Sequence, residues 1–161
     1  MAAFHFGGPG ILPQTDEDYM RLALKEAEKA AEKNEVPVGA VIVFEGAVIG
    51  RAHNQKELLR DPTAHAEMLA ITQACEALNN WCLMDATVYV TLEPCAMCAG
   101  AMVLARVSRL VFGASDPKTG AAGSVLNVVH NPALNHRIEV TGGVLAGECG
   151  ALLSDFFSDK R

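Results

Sequence analysis

ATVYVTLEPCAMCAGAM, Ala86 to Met102, is the stretch on which the fold turns. Its first half is apolar almost without interruption and rich in β-branched and aromatic residues, the composition of a short strand buried on both faces. A proline follows, and its missing N–H suits the first turn of a helix, where that donor has no partner. The reading is strand, tight turn, helix, with Cys95 and Cys98 sharing the opening turn. Two thiols so placed suit a redox pair, a metal site or plain core packing, and the rest of the chain must decide.

Working outward, VGAVIVFEGAVIGRAHN from Val38 carries two β-rich runs around Glu45-Gly46, which predicts a hairpin. DPTAHAEMLAITQACEAL predicts a helix entered near Thr63 and stopped by Asn79-Asn80. Before both, Thr15 and Asp18 form a capping-box pattern ahead of Met20, Ala23, Leu24, Ala27, Ala30 and Ala31 at helical spacing. After the cysteines come a strand in RLVFGAS, a long glycine-dotted loop over 115–137, a short strand in IEVTGG and a closing helix in GECGALLSDFF. A loop that long inside a small domain is functional or disordered. Alternating strands and helices make an α/β fold whose sheet is at least partly parallel. Residues 1–14, with GGPG and Pro13, read as a flexible N-terminal arm, and 15–161 as one domain.

With 161 residues the chain is long enough to bury a core unaided, and no apolar run approaches a bilayer span. The opening residues lack a basic segment ahead of a long apolar one, so a secretory signal is not expected. Five cysteines fit thiols or metal ligands better than a disulfide framework, which points to the cytoplasm. The formal charge of −6 argues against nucleic acid, yet it is unevenly spread. Residues 16–35 hold seven acids and four bases, whereas 99–137 hold Arg106, Arg109, Lys118 and Arg137 against Asp116 alone. The uneven spread softens that objection and leaves room for a local basic surface.

Two helices thus open on unusual residues: His65 and Glu67 on one, Cys95 and Cys98 on the other. If the strands before them are neighbours, both openings lie at the sheet edge where ligands of open α/β sheets bind. One imidazole and two thiolates supply three of zinc's four tetrahedral positions, the composition of a catalytic site that leaves one position to water. Glu67 is placed to carry a proton between that water and a leaving group. A CxxC alone is more often a redox or structural pair. HAE and PCAMC together match a known signature of zinc-dependent deaminases, in which the glutamate is not a ligand. Cys75, Cys82 and Cys149 have no such partner pattern and read as structural thiols.

On EVPVGAV, the Asn54 turn, DPTAHAEM, TLEPCAMCAGAM, VFGASDPKTGAAGS, NHRIEV and LLSDFF, the chain resembles the bacterial tRNA-specific adenosine deaminases of the cytidine deaminase superfamily. The resemblance runs from about Asp16 to Phe157, and KTGAAGS with NHR is what separates it from other superfamily members. It implies a cytidine deaminase-like three-layer sandwich, with a mixed sheet of about five strands and helices on both faces. It further implies one Zn²⁺ per chain on His65, Cys95 and Cys98, Glu67 as proton shuttle and no organic cofactor. The implied reaction is adenosine to inosine, with release of ammonia, at the wobble position of a tRNA anticodon, chiefly that of an arginine tRNA. Asn54 would lie beside the target base, while Asp116, Lys118, Asn135, His136, Arg137 and Phe156 would contact the anticodon stem-loop. A homodimer is implied as well. Two features depart from the pattern: the chain ends at SDKR without a lysine- and arginine-rich tail, and the GGPGILP arm is its own. Both bear on RNA affinity rather than on the reaction.

Two rivals stand beside this reading. A deaminase of free bases or nucleosides fits the acidic charge, but leaves KTGAAGS, NHR and the long loop without a purpose. A zinc-stabilised RNA-binding module without catalysis would have no need of Glu67.

Overall fold

The computed structural model describes residues 14–160, so the expected arm lies outside the described residues except for Gln14. The elements are α1 (Asp16–Glu32), β1 (Gly39–Phe44), β2 (Ala47–His53), α2 (Lys56–Leu59), α3 (Ala66–Leu78), β3 (Thr87–Leu92), α4 (Ala96–Leu104), β4 (Arg109–Ala114), β5 (Glu139–Thr141) and α5 (Ala146–Ser158).

The capping box forms as expected: Asp18 N–H donates to Thr15 Oγ1 at 3.2 Å, and Thr15 N–H donates to the Asp18 carboxylate at 3.0 Å. The hairpin also forms, turning on Glu45 and Gly46 with φ of 51° and 77°. Two positive φ angles in a two-residue loop match the right-handed twist of the flanking strands. Two boundaries and one element differ from the sequence reading. Helix α3 starts at Ala66, with His65 as its extended N-cap, rather than near Thr63. Helix α4 starts at Ala96 with Cys95 as N-cap, so Pro94 precedes the helix instead of opening it. The short helix α2 was not anticipated; buried Glu35 makes it possible by accepting from the N–H groups of Glu57 and Leu58 at 3.2 and 2.7 Å.

The sheet order is β2-β1-β3-β4-β5. Strand β1 is antiparallel to both β2 and β3, while β3, β4 and β5 are mutually parallel. Two antiparallel steps restore direction, so β2 runs with β3 and β4. The chain therefore leaves all three strands at one edge, and it enters β1 there too.

Side-chain alternation separates the layers. Val41, Val43, Tyr89 and Val111 pack beneath Tyr19, Met20, Ala23 and Leu24 of α1 and Cys149 of α5. Ile42, Val88, Val90, Leu110 and Phe112 point to the other face, against Ala66, Ala70 and Ala74 of α3 and Ala99, Met102 and Val103 of α4. This is the expected three-layer sandwich with a five-stranded mixed sheet. Alanines at every fourth position let α3 lie close on the sheet: a Cβ on Gly50 of β2 would meet the Ala70 carbonyl oxygen at 2.5 Å. No helix among the described residues is long and apolar enough to cross a membrane. All five cysteines are unpaired, and Cys149 is buried in the core as a structural thiol.

The far edge is tied by one ion pair. Arg109 donates to both Asp16 oxygens at 2.8 and 2.7 Å, and Tyr89 Oη donates to Asp16 at 2.9 Å. The Arg109 hydrogen bond, working against burial, holds the Asp16 carboxyl below its ordinary value. A carboxylate with a depressed folded-state pKa stabilises above its unfolded value, and that contribution disappears as pH falls through the folded value. Asp16→Asn is thus expected to lower stability by about 0.5–1 kcal/mol at pH 7, the range for a partly exposed bidentate pair. Thermal melts should show the gap between variant and wild type closing below about pH 4. A gap that persists unchanged to lower pH would assign the effect to something other than this pair.

Candidate active site

The edge at which β2, β3 and β4 end carries a cavity of about 160 Å³. Its floor is built from two helix starts. His65 caps α3, and Glu67 lies in that helix's first turn. Cys95 caps α4, and Cys98 lies one turn further on, fully buried. Val36, Val38 and Leu92 supply apolar wall, while Asn54, Lys56, Glu93, Asp116 and Thr119 complete the lining.

Three soft donors converge. His65 Nδ1 lies 3.6 Å from Cys95 Sγ and 3.6 Å from Cys98 Sγ, and the three atoms are all within 4.8 Å of one another. Around a tetrahedral ion with Zn–S of about 2.3 Å and Zn–N of about 2.0–2.1 Å, a sulfur and a nitrogen are about 3.6 Å apart. The spacing fits zinc. Two thiolates and one imidazole also suit it in donor chemistry, and three ligands leave one of its four positions to another group.

The protonation pattern agrees with a ligand cluster. Hydrogen bonds from the Cys98 thiol and His65, set against burial, hold Cys95 down to about 3. Its hydrogen bond to Cys95, reinforced by burial, pushes Cys98 well up. Metal uptake displaces the ligands' protons, since the ligating forms are thiolate and neutral imidazole. Glu67 is only 3% exposed, and burial pushes its carboxyl above the ordinary range against the pull of its own backbone N–H and His65. A carboxyl raised in this way is suited to accepting and returning a proton.

Asn54 follows β2 directly and is buried at 7% exposure. Its Oδ1 is the one buried side-chain polar atom among the described residues with no partner. A buried acceptor left open costs about 1–3 kcal/mol unless a ligand completes it. Its position in the lining makes a bound molecule the natural donor.

The residues expected to touch RNA divide into groups. Asp116 lines the cavity, but its carboxylate also accepts from Lys118 N–H, Thr119 N–H and Thr119 Oγ1 at 2.9, 3.2 and 2.8 Å. It thereby shapes the turn on which Lys118 stands exposed at the rim. Asn135, His136 and Arg137 are not in the lining; Asn135 and Arg137 are exposed, and His136 Nε2 contacts the Val107 carbonyl at 2.7 Å. Phe156 lies in a separate depression between α1 and α5, edge-on to Phe157 with Lys160 Nζ 5.0 Å from its ring centre.

Sequence reasoning passed over two residues. Lys56 brings a cation to the cavity rim. Glu93, 2% exposed, accepts from Asp116 N–H, Ala122 N–H, Ser124 N–H and Ser124 Oγ at 3.1, 3.0, 3.1 and 2.5 Å. Burial opposes the charge, but these hydrogen bonds, Ser124's foremost, hold its carboxyl below the ordinary range. An acid set between an apolar strand and a proline was the available signal.

The fold and this donor set define a deaminase: the sequence model of the MafB19-like deaminase family matches residues 14–161, and the chain belongs to that family. Within it, the relatives are specific. The tRNA-specific adenosine deaminase of Bacillus subtilis is 56% identical over 146 residues, 91% of each chain. That of Aquifex aeolicus is 51% identical over 90% of this chain and 95% of its own. A solved structure from work on A-to-I editing by tRNA:A34 deaminases at the wobble position of transfer RNA has a TM-score of 0.81 and 47% identity, covering 84% of this chain and 98% of that one. A guanine deaminase from Nitrosomonas europaea, 24% identical with a TM-score of 0.76 and 97% coverage of both chains, shares the fold. The chain belongs with the tRNA-specific adenosine deaminases.

Proposed function

We propose that the protein hydrolyses adenosine to inosine at the wobble position of a tRNA anticodon, with an arginine tRNA as its chief substrate, and that it does so in the cytoplasm. The observation that carries this is the unpartnered Asn54 Oδ1, buried in a cavity it shares with Glu67, His65 and Cys95, the last two converging with Cys98 as one donor set. A flat base between Val36, Val38 and Leu92 would exclude water from that face and offer an N–H to the amide oxygen. Loop RNA presents such a base once it is unstacked and turned outward.

Zinc held by His65 Nδ1, Cys95 Sγ and Cys98 Sγ would lower the pKa of the water consumed in the reaction. Glu67 takes one proton from that water and passes it to N1 of the base as oxygen adds to C6, then moves the second to the amino group at C6. The C6–N bond breaks, nitrogen leaves as ammonia, and oxygen remains on C6. Hydrolytic deamination requires no organic cofactor, because water is its only co-reactant. At the pocket, Lys56 and Asp116 would meet phosphate and sugar, and the exposed Lys118 and Asn135 would add contacts to phosphates and base edges of the stem-loop. Arg137 and His136, on the long loop, and Phe156, on α5, extend the surface toward flanking nucleotides, where an aromatic ring supports an unstacked base. We further propose a homodimer, which Leu104 supports: it projects from α4 at 72% exposure as apolar surface that a second copy would cover.

Incubation with an arginine anticodon stem-loop carrying A, C or G at the wobble position, alongside free bases and nucleosides, tests the proposal. Inosine should form only in the A-containing RNA. Turnover of free guanine or cytosine would assign the pocket to base salvage instead, and inosine in no RNA would overturn the reading.

A further inference from the structure

The carboxylate of Glu93 lies outside the chemistry just described, yet it is at least as buried as Glu67. It closes β3, and the same stretch of backbone passes through Pro94 to the metal-ligand candidate Cys95. Four donors from 116–124 converge on it: Asp116 N–H and Ser124 Oγ on Oε1, Ala122 N–H and Ser124 N–H on Oε2. An ionised carboxylate offers about four acceptor sites and no donor, so this set saturates it. Main-chain bonds run alongside, with Glu93 N–H donating to Ala114 and Ala121 N–H to Pro94, both at 2.8 Å. The segment gathered in this way carries Asp116 and Thr119 into the cavity wall and Lys118 onto its rim. The fit is close: a Cβ on Gly120 would meet Glu93 Cδ, Glu93 Oε2 and the Asp116 carbonyl oxygen, each at 2.5 Å.

We propose that Glu93 is a positioning residue that fixes the 116–124 loop in register with the reacting atom, and so governs the grip on RNA flanking the target base. This rests on the function proposed above. Because the proton shuttle and the donor set stand on α3 and α4, the loop acts on binding more than on the chemical step. Glu93→Gln places an amide NH₂ against N–H donors and breaks at least one side of the cluster, while Gly120→Ala displaces the loop with the carboxylate intact.

The test uses zinc-loaded protein and the anticodon stem-loop, with zinc content, KM, kcat and amide hydrogen exchange measured for wild type and both variants. The expected result is a KM raised about tenfold or more, a kcat reduced less than about threefold, unchanged zinc, and faster exchange at Asp116, Ala122 and Ser124. Unchanged KM in both folded variants, a loss confined to kcat, or unchanged loop exchange would overturn the proposal. Should neither variant fold, Ser124→Ala removes a single hydroxyl and should raise KM about two- to fivefold, and an unaltered KM there would count equally against it. If wild-type protein leaves the stem-loop untouched, the function reading fails, and exchange at the three amides then decides alone whether Glu93 holds the loop.

Discussion

Glu67→Gln is expected to remove turnover, by about 10²- to 10⁴-fold, while zinc remains bound and the RNA is still held. The substitution keeps size and hydrogen-bonding capacity but ends proton exchange. Glu67 stands in the first turn of α3, two residues from His65, and is buried away from solvent that would otherwise relay the proton. The other carboxylates in the lining are already engaged: Asp116 in its own turn, Glu93 in the 116–124 loop. Nothing else at the cavity floor offers a free carboxylate. Metal content by elemental analysis and inosine formation under single-turnover conditions check the two halves separately. Undiminished deamination in the variant would remove Glu67 from the proton path.

The largest effect on stability is expected from one added methyl group. Gly39→Ala, at the start of β1, would drive its Cβ into the Ala23 carbonyl oxygen and to 2.6 Å from Ala27 N. Both are backbone atoms of α1, so no side chain can swing away, and the helix must lift from the sheet. Overpacking of this kind costs about 3 kcal/mol at the upper end of its range, which lowers Tm by about 6–12 °C in a chain of this size. Gly150→Ala is the matched contrast: it lies in α5 with nothing within 4 Å of the added Cβ. There the change should be neutral or stabilising by about 0.5–1 kcal/mol, because alanine favours helix over glycine. Equal melting temperatures for the two variants would contradict the close α1–β1 packing.

Where interactions are local, the sequence announces them. The Thr15–Asp18 capping box spans three residues and the Glu45-Gly46 turn two, and both form as their residue types dictate. Boundaries were less legible. A proline suits the first turn of a helix, but Cys95 takes the N-cap in extended conformation and moves Pro94 outside. Helix α2 depends on Glu35, 22 and 23 residues away from the N–H groups it accepts, and no local pattern records that pairing.

The candidate site divides along the same line. His65, Cys95 and Cys98 were legible because their residue types are rare and their spacing matches a signature, and the structure brings their donor atoms within 4.8 Å. Glu93 escaped notice because its partners lie 23 to 31 residues along the chain, and an acid before a proline resembles an ordinary loop residue. The expected surface contacts, from Asp116 to Phe156, were identified by resemblance alone. The structure sets Asp116 in the cavity wall and Phe156 in a different depression, a separation that only the fold could reveal.

Underlying all of this is a single claim, that one ion is held by one nitrogen and two sulfurs with its last position left to solvent. X-ray absorption at the zinc edge of the purified protein, with elemental analysis, addresses it most directly. The account predicts about one zinc per chain, with two sulfurs at about 2.3 Å and two lighter ligands, one imidazole nitrogen and one oxygen, at about 2.0–2.1 Å. A metal-free protein, or a zinc ringed by four side-chain ligands, would contradict it.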